Sequence, residues 1–324
     1  MGGSPTDSKQ VSSYYDTHKD IAKATSAREV FSASYMNALL DPAKLKNGYR
    51  DSSDSVDSPN SQAIAIGFDE TGSMGDIPYD FVKHGFPRFI NMIQGGALGY
   101  DPHILFAAIG DVKNDDCPLQ VTQFEADTRM LDQLRLIYLE GCGGGNDGES
   151  YQIPWYFLAK HTKIACFNKR AKKGIYISIG DDKPHRDTSS REIKKIFGQH
   201  ESIESSNIPT TSMRDMALEQ WHLFHILLPR ASGRYASDYV EEAWRKYLGK
   251  HIVILEDHRY VAETMATMLK IQGGMDRNEA IDMIENEDAK KVVRKALKGF
   301  EIYEDDANPD ASAGNGGKEG IDFI

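Results

Sequence analysis

The chain reads as a three-layer α/β protein, with helices covering both faces of a mostly parallel, doubly wound sheet. Two observations carry that expectation. Apolar runs such as Ala63-Ile64-Ala65-Ile66 and Gly174-Ile175-Tyr176-Ile177-Ser178-Ile179-Gly180 show no polar alternation and suit strands buried on both faces. Segments of helical periodicity separate them, as in successive βαβ units.

The six expected strands are 63–69, 103–110, 119–125, 174–180, 222–228 and 251–255. Only Asp111 to Pro118 is too short for a helical crossover, so the third strand should run antiparallel at the sheet edge. Residues 1–18 are polar. From Asp20 to Leu40, Ile21, Val30, Phe31, Tyr35, Met36 and Leu39 come near helical spacing and predict an amphipathic helix that Pro42 ends. The Ser/Asp-rich stretch 51–60 reads as a linker, so residues 1–60 form an N-terminal helical extension and 61–260 the α/β domain.

Capping-box spacing at Ser189 with Glu192, Asp238 with Glu241 and Asp276 with Glu279 marks helix starts. C-terminal helices are expected within 261–300, with a pair over 276–299 that Gly299 stops. Residues 301–324 carry seven acids against Lys318 alone and predict a disordered tail.

At 324 residues, 40% hydrophobic and 27% charged, the composition is that of a globular protein with one sizeable core. A net charge of −11, with no Lys/Arg cluster, argues against nucleic acid or an anionic membrane as partner. No segment reaches the roughly 18 apolar residues of a membrane span, and the first residues lack a charged region followed by an apolar run. A cytoplasmic location is expected, or a virion if a phage encodes the chain. Cys117, Cys142 and Cys166 lack metal-ligand spacing and read as reduced thiols.

The most informative stretch is Gly67-Phe68-Asp69-Glu70-Thr71-Gly72-Ser73, where a buried strand ends in an acid followed by two hydroxyls at alternating positions. Hard oxygens on such a loop suit Mg²⁺. Ligands of doubly wound sheets bind beyond the carboxyl ends of the strands, where the winding reverses. If strand 174–180 lies beside strand 63–69, Asp181 faces Asp69 across that crevice. A third loop, Glu140-Gly141-Cys142-Gly143-Gly144-Gly145-Asn146-Asp147-Gly148-Glu149-Ser150, has the glycines to fold over the strand ends and bring Asn146 or Asp147 to a metal.

These three loops resemble the metal-ion-dependent adhesion site of von Willebrand factor A domains, whose first loop reads Asp-x-Ser/Thr-x-Ser. The resemblance covers roughly 61–260 and implies a Rossmann-like fold of that type, with Pro118 to Glu125 similar to the antiparallel strand of prokaryotic and phage members. It implies Asp69, Thr71, Ser73 and Asp181 as metal ligands. The second loop departs from the usual Thr; Asn146 falls where some members have Asp and is taken as that loop's ligand, the fifth of the set. The resemblance further implies Mg²⁺, or Mn²⁺ or Ca²⁺, completed by an Asp or Glu of a protein partner, and a setting beside an AAA+ ATPase or in a signalling assembly. A metal that only pins the loops is a second reading.

Asp69-Glu70-Thr71-Gly72-Ser73 and Gly110-Asp111-Val112-Lys113-Asn114-Asp115-Asp116 also resemble two motifs of haloacid-dehalogenase-type phosphotransferases, with Asp69 as nucleophile. Between these motifs the only Lys or Arg residues are Lys83 and Arg88, on the expected first helix, so the cation that phosphoryl transfer needs is missing. Asp111, Asp115 and Asp116 read as a solvated acidic turn or a second cation site. His222 and His225, three apart on a strand, point to opposite faces and do not form a zinc site. Ser150, Ser178 and Cys142 have no legible base and orienting acid, so no catalytic residue is assigned and the chain is read as a non-enzyme.

Overall fold

The computed structural model describes residues 6–31, 33–94, 98–141, 148–229 and 238–304. Its central sheet has six strands: β1 (Ser61–Asp69), β2 (Asp101–Ile109), β3 (Leu119–Val121), β4 (Gly174–Gly180), β5 (Trp221–Leu227) and β6 (Ile252–Ile254). Their order is β3-β2-β1-β4-β5-β6, with β3 alone antiparallel to its neighbour. The winding therefore reverses between β1 and β4, which pair from Ile64 with Ile175 to Phe68 with Ile179. β3 stops short of the expected 119–125 because the Thr122 hydroxyl, in place of a backbone carbonyl, takes the Phe106 N–H at 2.8 Å. One antiparallel bridge, Ile104 to Glu125, lies beyond it.

The longer helices are α1 (Ser8–Thr17), α2 (Phe86–Ile93), α3 (Gln152–Lys160), α4 (Ser190–Phe197), α5 (Thr210–Leu218), α6 (Asp238–Leu248), α7 (Val261–Gln272) and, at the C-terminal end, α8 (Arg277–Asp282) and α9 (Glu287–Ala296). Successive residues of a strand face opposite layers. Ile64, Ile66, Ile175 and Ile177 pack with α1, α2 and α7, whereas Ala63, Ala65, Tyr176 and Leu223 pack with α3 to α6 through Trp155, Phe197, Met213 and Trp244. β1 is buried at every position, which accounts for its unbroken apolar pattern. The Ser189–Glu192 capping box forms, and Asp276 caps α8 by accepting from Asn278 and Glu279 N–H. Asp238 is already inside α6, and the residues before it lie outside those described.

Three expectations need correction. No single helix spans Asp20–Leu40: short helices Lys19–Lys23 and Ala27–Val30 are separated by extended Ala24 and Ser26, and Tyr35 and Leu39 are exposed. Thr25 bonds the Glu29 carboxylate through both its N–H and its hydroxyl, the local competition that makes hydroxyl residues poor helix interiors. The helix lies earlier, in α1, whose Asp7–Gln10 capping box buries Val11 and Tyr14. The stretch 51–60 is no loose linker either. Arg50–Ser52 pairs with Thr162–Ile164, and Ser58 and Ser52 hold buried His103 at 2.8 and 3.3 Å.

The third correction concerns residues 301–304. Tyr303 stacks on His251 with centroids 3.7 Å apart and donates its hydroxyl to Leu223 O, so the tail begins docked on the sheet. Residues 305–324 lie outside those described. Cys117 and Cys166 are free and buried, and Cys142 lies outside the described residues. No described helix is long and apolar enough to cross a membrane.

Candidate metal centre

β1 delivers Asp69 to the carboxyl edge of the sheet with no exposed surface. The chain then turns sharply: Thr71 N–H and Thr71 Oγ1 both donate to Asp69 Oδ1, at 2.8 and 2.6 Å. A 3₁₀ turn over Gly72–Met74 follows, closed by Met74 N–H to Thr71 O. This turn sets Ser73 Oγ 3.3 Å from Thr71 Oγ1. Ser73 in turn donates to Asp181 Oδ1 at 2.8 Å, just past the end of β4. Four of the expected ligands, Asp69, Thr71, Ser73 and Asp181, are thus one connected set of oxygens at the point where the winding reverses. Asn146, with Asp147, lies outside the described residues.

Two further residues complete the surroundings, and the motif reading missed both. Tyr151 donates its hydroxyl to Asp69 Oδ2 from the start of α3. It needs Gly180, where a Cβ would lie 1.9 Å from the Tyr151 hydroxyl oxygen. That glycine at a strand's end, directly before Asp181, was the available signal. Glu149 is the other. Its N–H bonds Lys183 O and its carbonyl takes the His185 N–H, which ties the second loop's far end to the third. Its Oε2 is buried without a hydrogen-bond partner among the described residues.

Burial, then the neighbouring Asp181 charge, pushes the Asp69 carboxyl up to about 7, against the pull of the Thr71 and Tyr151 hydrogen bonds. Burial and the charges of Asp69, Asp111 and Asp182 push Glu149 up to about 9. Glu70, also buried, is raised well above its usual range, although Gln120 donates to it. This edge therefore crowds carboxyl groups into a poorly solvated place, where burial and mutual repulsion favour their protonated forms. Below it, Trp244 donates to Asp182 O at 2.8 Å and stacks on His225, a rigid aromatic floor.

Asp111 and Asp115 are buried, which overturns the solvated-turn reading; of the three acids only Asp116 is exposed. Asp111 accepts from Lys113 N–H and the Asn114 amide, and its Oδ1 lies 2.6 Å from His185 Nε2. His222 and His225 do face opposite layers. Ser178 Oγ lies 2.9 Å from His225 Nδ1, but both are wholly buried within the sheet and meet no substrate.

The donor set fits a hard divalent cation by its chemistry: two carboxylates and two hydroxyls, with no thiol or imidazole. Among the described residues no three His, Cys, Asp or Glu side chains group as metal ligands, so the set depends on its hydroxyls.

No family model matches the chain, and no curated protein matches it in sequence. Among solved structures it is similar to the pilus adhesin SpaC of Lactobacillus rhamnosus GG in its open conformation, at 12% identity and a TM-score of 0.42, over 73% of this chain and 30% of that one. It is also similar to proximal thread matrix protein 1 of the mussel byssus, at 8% identity and a TM-score of 0.40, over 65% of this chain and 47% of that one. The chain thus spans less than half the length of either structure.

Proposed function

We propose that this chain is a metal-dependent protein-binding module of the von Willebrand factor A type, and not an enzyme. The observation that carries the proposal is the series Asp69, Thr71, Ser73 and Asp181, in which Thr71 donates to Asp69, Ser73 donates to Asp181 and the two hydroxyl oxygens lie 3.3 Å apart, at the point where the winding reverses. Those four residues would hold Mg²⁺, Mn²⁺ or Ca²⁺, directly or through water. The bound ion would supply a Lewis-acidic position for an Asp or Glu of a partner protein. Glu149, Glu70 and Asp182 crowd the site with carboxyl groups in a place where ionisation is disfavoured, so a further carboxylate from a partner would be unfavourable there without the cation. The class of partner proposed is an AAA+ ATPase or a signalling assembly, in the cytoplasm or a virion.

Asp69 is a poor nucleophile as placed, because it is fully buried and both carboxylate oxygens accept hydrogen bonds. The burial of Asp69 favours ligation over covalent phosphoryl transfer.

The test is calorimetric titration of wild type and Asp69→Ala with Mg²⁺ and Mn²⁺, with a generic phosphoester assayed in parallel. We expect wild type to bind metal, the variant to lose at least a hundredfold in affinity, and neither to turn over phosphoester. Equal affinity in both proteins would overturn the site, and turnover that vanishes with Asp69 would establish the phosphotransferase instead. Metal binding that an acidic peptide never strengthens would leave only the loop-pinning role.

A further inference from the structure

A second polar site lies on the opposite side of the sheet from Trp244, between α2, α7 and the turn joining α8 to α9. It is a cavity of about 580 Å³, within the range of small-molecule sites. Lys270, on α7, lines it and is only 2% exposed. The one hydrogen-bond partner of its ammonium among the described residues is the thioether sulfur of Met283, at 3.6 Å, a weak acceptor. Glu263 also lines the cavity, but it lies seven residues earlier on the helix, roughly 10 Å along the axis. Arg88 holds its Oε1 at 2.7 Å, while its Oε2 is buried without a hydrogen-bond partner among the described residues.

Buried charges are ordinarily paired, because an ammonium removed from water without a counter-ion costs several kcal/mol. Lys270 has an open cavity in place of that counter-ion. The walls are Met92, Met283 and Ile284, which suit an apolar body. At the rim stand exposed Asp7 and Glu285, which would repel a second negative charge on a ligand. Phosphate esters and dicarboxylates are disfavoured for that reason.

We propose that this cavity binds a small monoanionic organic acid, its carboxylate paired with the Lys270 ammonium and its alkyl or aryl body against Met92, Met283 and Ile284. Burial also lowers the Lys270 pKa, and a bound carboxylate would reverse that shift. This site is independent of the metal centre.

The experiment titrates the full chain with octanoate and, separately, with 1-octanol, by calorimetry and by thermal unfolding. Octanoate is expected to bind and raise the melting temperature, and octanol at the same concentration to do neither. Lys270→Met keeps the volume and removes the charge, and should weaken octanoate roughly ten- to a hundredfold, the worth of one charge-assisted hydrogen bond. Ile284→Trp narrows the cavity with Lys270 intact and should also weaken it, which keeps the test decisive if the first variant fails to fold. No octanoate binding to wild type, equal binding of octanol, or unchanged affinity in a folded Lys270→Met protein would each overturn the proposal.

Discussion

Two acid clusters stand on neighbouring strands at the same edge of the sheet, and they differ in what satisfies them. Asp111, beyond β2, is held largely by nitrogen: Lys113 N–H, the Asn114 amide and His185 Nε2, with Ser150 Oγ at 3.3 Å. Asp69, at the end of β1, is held by the hydroxyls of Thr71 and Tyr151 and by one backbone N–H, and Asp181 by the hydroxyl of Ser73. A hydroxyl that donates to a carboxylate keeps lone pairs and can rotate to accept or to ligate, whereas an N–H donor offers nothing further. The Asp111 cluster is therefore a fastener that joins three loops. The Asp69 cluster has hydroxyls free to turn toward a cation.

The sharpest way to break this comparison is to remove each acid in turn and read stability and metal response separately. Asp111→Ala strands the Asn114 amide, His185 and the Lys113 N–H at a buried carboxylate position and should cost about 3 kcal/mol or more. Its unfolding midpoint in urea should fall accordingly, while saturating Mg²⁺ still raises that midpoint, as expected of a ligand that binds only the folded state. Asp69→Ala should behave in the opposite way, losing the Mg²⁺ increment with a smaller change in baseline stability. Mg²⁺ stabilisation that survives in Asp69→Ala and disappears in Asp111→Ala would exchange the two roles.

The contrast was only half visible in the sequence. The continuous apolar run into Asp69-Glu70-Thr71-Gly72-Ser73, together with Ile179-Gly180-Asp181, marked two buried strands that each end in an acid, because burial on both faces leaves a plain mark on composition; their adjacency was only a condition of the reading, and the pairing of Ile64 with Ile175 supplies it. The burial of Asp111 and Asp115 left no such mark. Asp111 is held by Ser150 and His185, 39 and 74 residues away, and a cluster of acids in a short loop looks solvated until those partners are in place. The same holds at the N-terminal end. Apolar spacing between Asp20 and Leu40 imitated one helix, whereas side-chain bonds such as Thr25 to Glu29 decided the local path. Tyr151 was hidden for a third reason, since an aromatic at a helix start reads as core and only the missing side chain at Gly180 shows where its hydroxyl goes.

Tyr151→Phe sharpens the comparison from the side of the proposed metal centre. The substitution keeps the ring against Trp244 and removes only the hydroxyl on Asp69 Oδ2. Outer partners that fix a ligand's orientation are typically worth ten- to a hundredfold in metal affinity, and we expect about tenfold here by calorimetry. Stability should fall by about 1–2 kcal/mol, the cost of an unmade bond to a buried carboxylate. An unchanged metal affinity would mean that Tyr151 only fills space.

The smallest effect is expected on the fastening side, at the Ser189–Glu192 capping box that starts α4. Glu192 does double duty there, accepting from Ser189 N–H and from Lys113 Nζ, so the helix start and the Asp111 loop are coupled through one carboxylate. Ser189→Ala removes the hydroxyl that accepts the Glu192 N–H and should cost about 1 kcal/mol in chemical denaturation. Because the Lys113–Glu192 pair is partly exposed, little of that loss should pass through the ion pair, and the variant should respond weakly to added salt. Metal affinity should not change, since no hydroxyl of the Asp69 cluster is touched. A drop in Mg²⁺ affinity from this substitution would show that the two clusters share one cooperative edge, and that the division between fastener and metal centre is too sharp.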